Sequence, residues 1–427
     1  MQSQLKFSLV GALMLGGLVG ATLLTSPSAQ AETSLRVFSG GQNQRPDLMR
    51  KVFDEYQKAN PGVKIDIETG GATSELQRQY LSTVLNAQDS AIDVFMVDIV
   101  NPAQYAKAGW LEPLDSYLGK DAATQMKNYL PVYAQADVIG GKIMALPAFA
   151  DAMFMYYRKD LLDKYKIKPP TTWDELAKAA MTIQKGENDP NLQGLSFQGA
   201  PIEGAVCTFL LPYWGQGKEF TDANGKLTLD KPAAEKGMNM WLDMVDKGVS
   251  KKNIAEVKTP DTVNEFKAGN VAFAINWGFA WDRFREDDSK VKDKVGVIPL
   301  PAMTRGKSAT CVGGWQWTVS AFSKNKAEAV KLIRHMSTPD VAKFLAVEGS
   351  LLPVFPQLYT EKDVVKSNPW FASALPVVQA GKSRPVTPQY AQISDLIKNT
   401  TSAMLARIKT VSDGVAEIQT KAATIMP

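Results

Sequence analysis

The strongest constraint on the fold is an alternation at the start of the chain, where short branched or aromatic runs are separated by amphipathic stretches. Leu35-Arg36-Val37-Phe38 reads as a strand, and residues 46–60 read as a helix with Leu48, Val52, Phe53 and Tyr56 on one face. Pro61-Gly62 stops that helix. Val63-Lys64-Ile65-Asp66-Ile67 alternates as a second strand, residues 74–88 read as a second helix, and residues 93–98 form a nearly continuous apolar strand ending in a carboxylate. Strands alternating with helices leave few topologies, because right-handed crossovers lay the helices on a parallel-rich sheet. The expected fold class is therefore α/β. Ligands of such sheets gather at the carboxyl ends of strands, positions held here by Ser39-Gly40-Gly41 and by Asp98.

A chain of 427 residues exceeds what one core organises, so two domains are expected. No repeat and no low-complexity linker separates them, which implies that the chain crosses between lobes more than once. The first crossing is expected near residues 140–158, read as a hairpin or pair of strands at 143–147 and 153–157. Thr172-Trp173-Asp174-Glu175 is a capping box opening a helix to Lys185. A strand at 194–198, a helix at 201–214 and an Asn224-Gly225 hairpin turn follow. Helices at 232–247 and 262–268 then lead to strands at 271–277 and 295–299. The chain closes with helices at 326–336 and 339–348 and a long helical pair from about Gln392.

Residues 1–31 read as a cleavable targeting segment, with Lys6, an apolar run from Phe7 to Leu24, and Ala29 and Ala31 in the A-x-A pattern before Glu32. The expected product is exported to a bacterial periplasm. Basic and acidic residues nearly balance, 48 against 44, and are interspersed, so nothing favours nucleic acid or an anionic membrane as partner. His335, the single histidine, lies in an amphipathic helix and reads as a surface or helix-end residue. One histidine excludes a multi-histidine metal site, and no ligands cluster around the two cysteines, so no metal and no cofactor is expected. Cys207 and Cys311 either pair, closing a long loop, or remain two buried thiols.

Gly313-Gly314-Trp315-Gln316-Trp317 sets two residues without side chains against two indole rings. Glycine lets backbone approach another surface, and tryptophan offers a flat apolar face. Trp317 reads as core; Gly314 and Trp315 read as the wall of a ligand site.

These stretches, with Ala108-Gly109-Trp110-Leu111-Glu112-Pro113-Leu114-Asp115, Tyr156-Tyr157-Arg158-Lys159-Asp160-Leu161-Leu162, Pro170-Thr171-Thr172-Trp173-Asp174-Glu175-Leu176 and Phe266-Lys267-Ala268-Gly269, resemble the extracellular solute-binding proteins of ABC sugar importers, in the maltose- and trehalose-binding branch. The resemblance implies a two-lobe periplasmic binding protein fold, type II-like, with the ligand in the interlobe cleft. It implies a first lobe of residues 32–148 and 283–352 and a second of 149–282 and 353–427.

Matched position by position, the family's sugar-reading residues fall on Arg78, on Asp98 at the strand end, and on Asp151 with Phe149 two residues before it. They fall also on Trp277 and Phe279, on the pair Gly314 and Trp315, and on Arg384. Where the family often has a glutamate after the first strand, Gln42 and Asn43 stand here, and Phe149 and Phe279 replace common tyrosines. Such residue types suit a sugar: carboxylates and guanidiniums meet its hydroxyls, and indoles cover its apolar faces. The implied partners are a small-molecule sugar, a disaccharide or glucoside of the trehalose, maltose, sucrose or glucosylglycerol kind, and the transmembrane permease subunits; the protein itself is expected to be a monomer and not an enzyme. Two alternatives stand beside this: a binding protein for glycerol-phosphate-type solutes, and an exported glycoside hydrolase using Asp98 with Asp151 or Glu203.

Overall fold

A computed structural model describes residues 32–222, 225–303 and 306–426. The expected leader, 1–31, lies outside the described residues, as does Asn224 of the expected hairpin turn.

Strand β1 (Thr33–Phe38) leads into helix α1 (Pro46–Ala59), which buries Leu48, Met49, Val52, Phe53 and Tyr56. Strand β2 (Val63–Glu68), helix α2 (Ser74–Asn86) and strand β3 (Val94–Asp98) complete the opening alternation. β1 pairs in parallel with both β2 and β3, and all five residues of β3 are buried.

Strand β4 (Leu146–Arg158) corrects the expected pair of strands. It runs unbroken for 13 residues, because residues 149–152, which the alternation leaves unassigned, find backbone partners on a neighbouring strand. The hairpin is smaller and earlier: Val138–Ile139 pairs with Lys142–Ile143 across Gly140 and Gly141, whose φ angles of 58° and 78° suit glycine.

Helix α3 (Trp173–Glu187) is capped by Thr172, whose hydroxyl accepts from the Glu175 amide. Strand β5 (Gln193–Ser196) precedes helix α4 (Glu203–Trp214), all twelve residues of which are buried. Helices α5 (Lys231–Asp246) and α6 (Thr259–Lys267), then strands β6 (Val271–Trp277), β7 (Val295–Ile298) and β8 (Val312–Val319), follow in order. Helices α7 (Lys326–Met336), α8 (Pro339–Gly349), α9 (Phe371–Gln379), α10 (Tyr390–Leu405) and α11 (Val411–Ile425) close the chain. The sequence reading left α9 out: it is short, carries Pro376 inside, and follows a stretch without clear periodicity.

The strand order is β2-β1-β3-β8-β4-β6-β5, with β7 also on β4. The sheet is mixed rather than parallel-rich: β8 runs antiparallel to β3 and β4, and β4 antiparallel to β6 and β7. Its two halves share β4, which pairs with β8 through residues 146–152 and with β6 through residues 153–157. This is the two-lobe fold. One core holds Leu35, Phe53, Met96 and Trp317 and runs on through Phe266, Phe284 and the 353–379 stretch at Phe355, Phe371 and Val378. A second holds Leu195, Trp241, Ile275, Met404 and Ile418.

Candidate functional site

Strand ends and one bulge bring the site together. β3 ends on Asp98, β4 carries Phe149 and Asp151 at the middle of its crossing, β6 ends on Trp277 with Phe279 just beyond, and β8 carries Gly314 and Trp315. Trp315 is the register partner of Asp98 on one side and of Phe149 on the other, so three of these residues stand side by side on adjacent strands. The register between β8 and β4 shifts after Trp315, and Gly314 has φ of 114°, a bulge that turns the wall. A Cβ at Gly314 would stand 2.6 Å from Tyr133 Cε1, so glycine is required by the core beneath as well as by the dihedral. A Cβ at Gly313 would stand 2.7 Å from Trp277 Cζ3: the indole lies directly on the strand backbone.

These residues border one cavity, about 660 Å3 of space free of protein atoms when its solvent-open mouth is included. Asp98, Phe149, Asp151, Trp277, Phe279, Gly314, Trp315, Arg384 and Asn43 line it. Gln42 and Arg78 do not. Gln42 borders an adjoining recess with Asn43, Thr259 and Arg283. Arg78 stands behind the wall, its Nη1 donating to Glu203 Oε1 at 3.0 Å.

Glu203 is the centre of the site's charge. Named above only as a candidate hydrolase carboxyl, it lines the cavity as the first residue of α4. Its Oε1 also accepts from Ser394 Oγ at 2.5 Å, and its Oε2 from Arg384 Nη1 at 2.9 Å and Tyr390 OH at 2.5 Å. Burial alone would push this carboxyl up, but the guanidiniums of Arg384 and Arg78 and the two hydroxyls outweigh it and hold the pKa below the ordinary carboxylate range. Arg384, 1% exposed, also forks onto Asp98, Nη2 to Oδ1 at 2.6 Å and Nη1 to Oδ2 at 3.2 Å. Ser74 Oγ donates to the same Asp98 Oδ2 at 2.9 Å.

Asp151 behaves differently. Its Oδ1 accepts from the backbone N–H groups of Gly278 at 2.7 Å and Ala152 at 2.8 Å, and no side-chain cation pairs with it among the described residues. Burial pushes its pKa up to about 7 against those two amides, with the charge of Asp98 adding to the rise. Glu75, on the first turn of α2, lines the same cavity and was not anticipated; an acidic residue in a helix's first turn is too common a pattern to stand out.

Cys207 and Cys311 form a disulfide, which settles the alternative left open by the sequence. Both sulfur-bearing residues belong to the second core, so the bridge ties α4 to the entry of β8 within that core. His335 closes α7 half-buried, its ring 5.2 Å from that of Tyr56.

Two α/β lobes sharing one strand, with side chains of both converging on a single cavity, define a two-lobe solute-binding protein. The chain belongs to the family of bacterial extracellular solute-binding proteins, whose model matches residues 41–343. A probable ABC transporter-binding protein of Deinococcus radiodurans is 32% identical over 421 residues, 94% of this chain and 97% of that one. A maltotriose-binding protein of Pyrococcus abyssi is 24% identical over 81% of this chain and 72% of its own. Among solved structures, maltose-bound MalE3 of T. maritima superposes with a TM-score of 0.86 at 29% identity, covering 92% of this chain and 100% of that one.

Proposed function

We propose that this protein is the substrate-binding component of an ABC importer, capturing a neutral disaccharide or glucoside of the maltose, trehalose, sucrose or glucosylglycerol kind and delivering it to a membrane permease. The observation that carries the reading is the cavity itself: carboxylates and a guanidinium at its polar side, and Trp277, Trp315, Phe149 and Phe279 at its apolar side. Hydroxyl rims and C–H faces of a sugar need both. Relatives named for maltotriose and maltose support it. A solute-binding protein of Agrobacterium vitis solved with D-mannitol shares the fold.

The lobes in this reading comprise residues 32–148 with 283–352, and 149–282 with 353–427, except that the 353–379 stretch packs on the first core, and they act as a periplasmic monomer after removal of residues 1–31. Ligand bridges them and stabilises the closed form that the permease recognises. The charge of the cavity argues against glycerol phosphates: Glu75, Asp98, Asp151 and Glu203 line it against Arg384, and that arginine is already committed to two of them. Catalysis would call on the raised Asp151 carboxyl as an acid, yet Asp98 is gripped by Arg384 and Glu203 by four side-chain donors, leaving no free second carboxylate of the three named for it.

A thermal-shift panel of maltose, trehalose, sucrose, glucosylglycerol, mannitol and glycerol phosphates tests the assignment, since ligands that bind only the folded state raise its midpoint. A rise with a neutral sugar and no product after long incubation is expected. A rise with glycerol phosphate alone, or release of monosaccharide, overturns it.

A further inference from the structure

Glu75 is the second residue of α2, in the first lobe, and its side chain reaches the cavity while remaining only 8% exposed. Its Oε1 accepts the backbone N–H of Glu203, the first residue of α4, which packs in the second core. Helix α4 has no cap of its own: Ile202 stands at its N-cap position and offers no side-chain acceptor. The orphan donor of a wholly buried helix in one lobe is thus satisfied by a carboxylate from the other. That contact exists only while the lobes are together.

The second oxygen, Oε2, is buried and has no hydrogen-bond partner among the described residues. Leaving a buried acceptor unpaired is unfavourable, more so when it is charged. Burial first, and the neighbouring Glu203 charge second, push the Glu75 carboxyl above its ordinary pKa, against the pull of its own amide, the Thr73 hydroxyl and Lys398. Across the same cavity Asp151 has its Oδ1 occupied by two amides, while no hydrogen bond from the described residues reaches Oδ2. Two acceptors with unused capacity therefore border one cavity whose other carboxylates are already engaged.

We propose that Glu75 is a ligand-contacting residue that couples occupancy to closure: one oxygen caps α4 across the cleft while the other receives a hydroxyl of the bound solute. The class of ligand this selects is one with hydroxyl donors far enough apart to reach Glu75 and Asp151 together. The inference rests on the sugar-binding reading above for its ligand, and on the cross-lobe cap for its mechanism.

Two variants of the mature chain test it, with maltose as the probe. In Glu75→Gln the amide oxygen still caps α4, but an NH2 replaces the free acceptor; maltose affinity by calorimetry should fall about tenfold, the worth of one hydrogen bond to a charged group. Its ligand-free melting temperature should stay near wild type. In Glu75→Ala both roles are lost, so affinity should fall further and the ligand-free radius of gyration by X-ray scattering should rise. Unchanged maltose affinity in both variants overturns the ligand contact. Equal radii for wild type and both variants overturn the cross-cleft cap. If wild type binds no sugar in the panel, the sugar reading fails, and the scattering of the ligand-free proteins alone still decides the cap.

Discussion

Arg384 grips Asp98 with both terminal nitrogens and hands one of them on to Glu203, Nη1 to Oε2 at 2.9 Å, so one fully buried guanidinium serves two carboxylates from different parts of the chain. Arg78 takes the other Glu203 oxygen. Desolvating four charged groups costs about as much as their attraction returns, so the network's value lies in geometry rather than in net stability. It holds the end of β3, the start of α4 and the 380–389 stretch in one arrangement.

Breaking that network is a different matter from never having built it. Glu203→Ala leaves two buried arginines short of a partner, and a loss of about 3–5 kcal/mol is expected in urea unfolding at neutral pH. The pH dependence has a definite sign. Because the folded-state pKa of Glu203 lies below its unfolded value of about 4.3, its contribution is present above that pH and is lost as pH falls through the folded pKa. The gap between wild type and Glu203→Gln should therefore narrow as unfolding is repeated at progressively lower pH below about 4.

Asp151 carries the opposite sign. Its folded pKa of about 7 lies above the unfolded value near 3.9, so between those limits the unfolded chain has released a proton that the folded one retains. Stability falls with rising pH across that window and levels above it. Asn in its place keeps an oxygen for the Gly278 and Ala152 amides and removes the titration. Asp151→Asn should gain on wild type between pH 4 and 7, by up to about 4 kcal/mol, read as diverging unfolding midpoints over that range.

The periodicity of the first hundred residues made β1 to β3 and their helices legible, because each element buries one face against a neighbour in sequence. β4 was harder: its middle reads Ala148-Phe149-Ala150-Asp151-Ala152, which alternates weakly and is extended only because β8, some 160 residues later, supplies partners. The site divided the same way. Asp98 and Trp277 at strand ends, and Trp315 beside the bulge within β8, line the cavity, whereas Arg78 proves to support Glu203 from behind. Glu75 and the central part played by Glu203 depend on two helix starts meeting across the cleft. No local pattern encodes that meeting.

Gly313 makes a separate prediction. The Trp277 ring occupies the space a Cβ would need, at 2.7 Å, so Gly313→Ala must displace the indole from the strand. Gly313 lacks the positive φ of its neighbour, which removes backbone strain from the account. Overpacking costs about 1–3 kcal/mol, and Trp277 is only partly buried, so the ring is free to swing outward. Sugar affinity should fall about tenfold or more with a modest loss of melting temperature; Trp277→Ala should bind as weakly, and the double variant no worse than either.

The disulfide stands one helical turn from Glu203 on α4 and three residues before Gly314, so it joins the two elements that carry the charged and aromatic sides of the cavity. Its sequence separation is 104, and a loop of that length implies roughly 4–5 kcal/mol of unfolded-state constraint, with measured losses commonly about 2–5. Cys207→Ala with Cys311→Ala should lower the urea-unfolding free energy by that amount. Both cysteines are fully buried, so a reductant should act on the wild type only once it unfolds. Native protein incubated with dithiothreitol should then keep its ligand affinity, while protein unfolded and refolded with the reductant present should match the double variant; equal stability of variant and wild type would mean that the packing of α4 on α5 and α10 fixes the wall without the bridge.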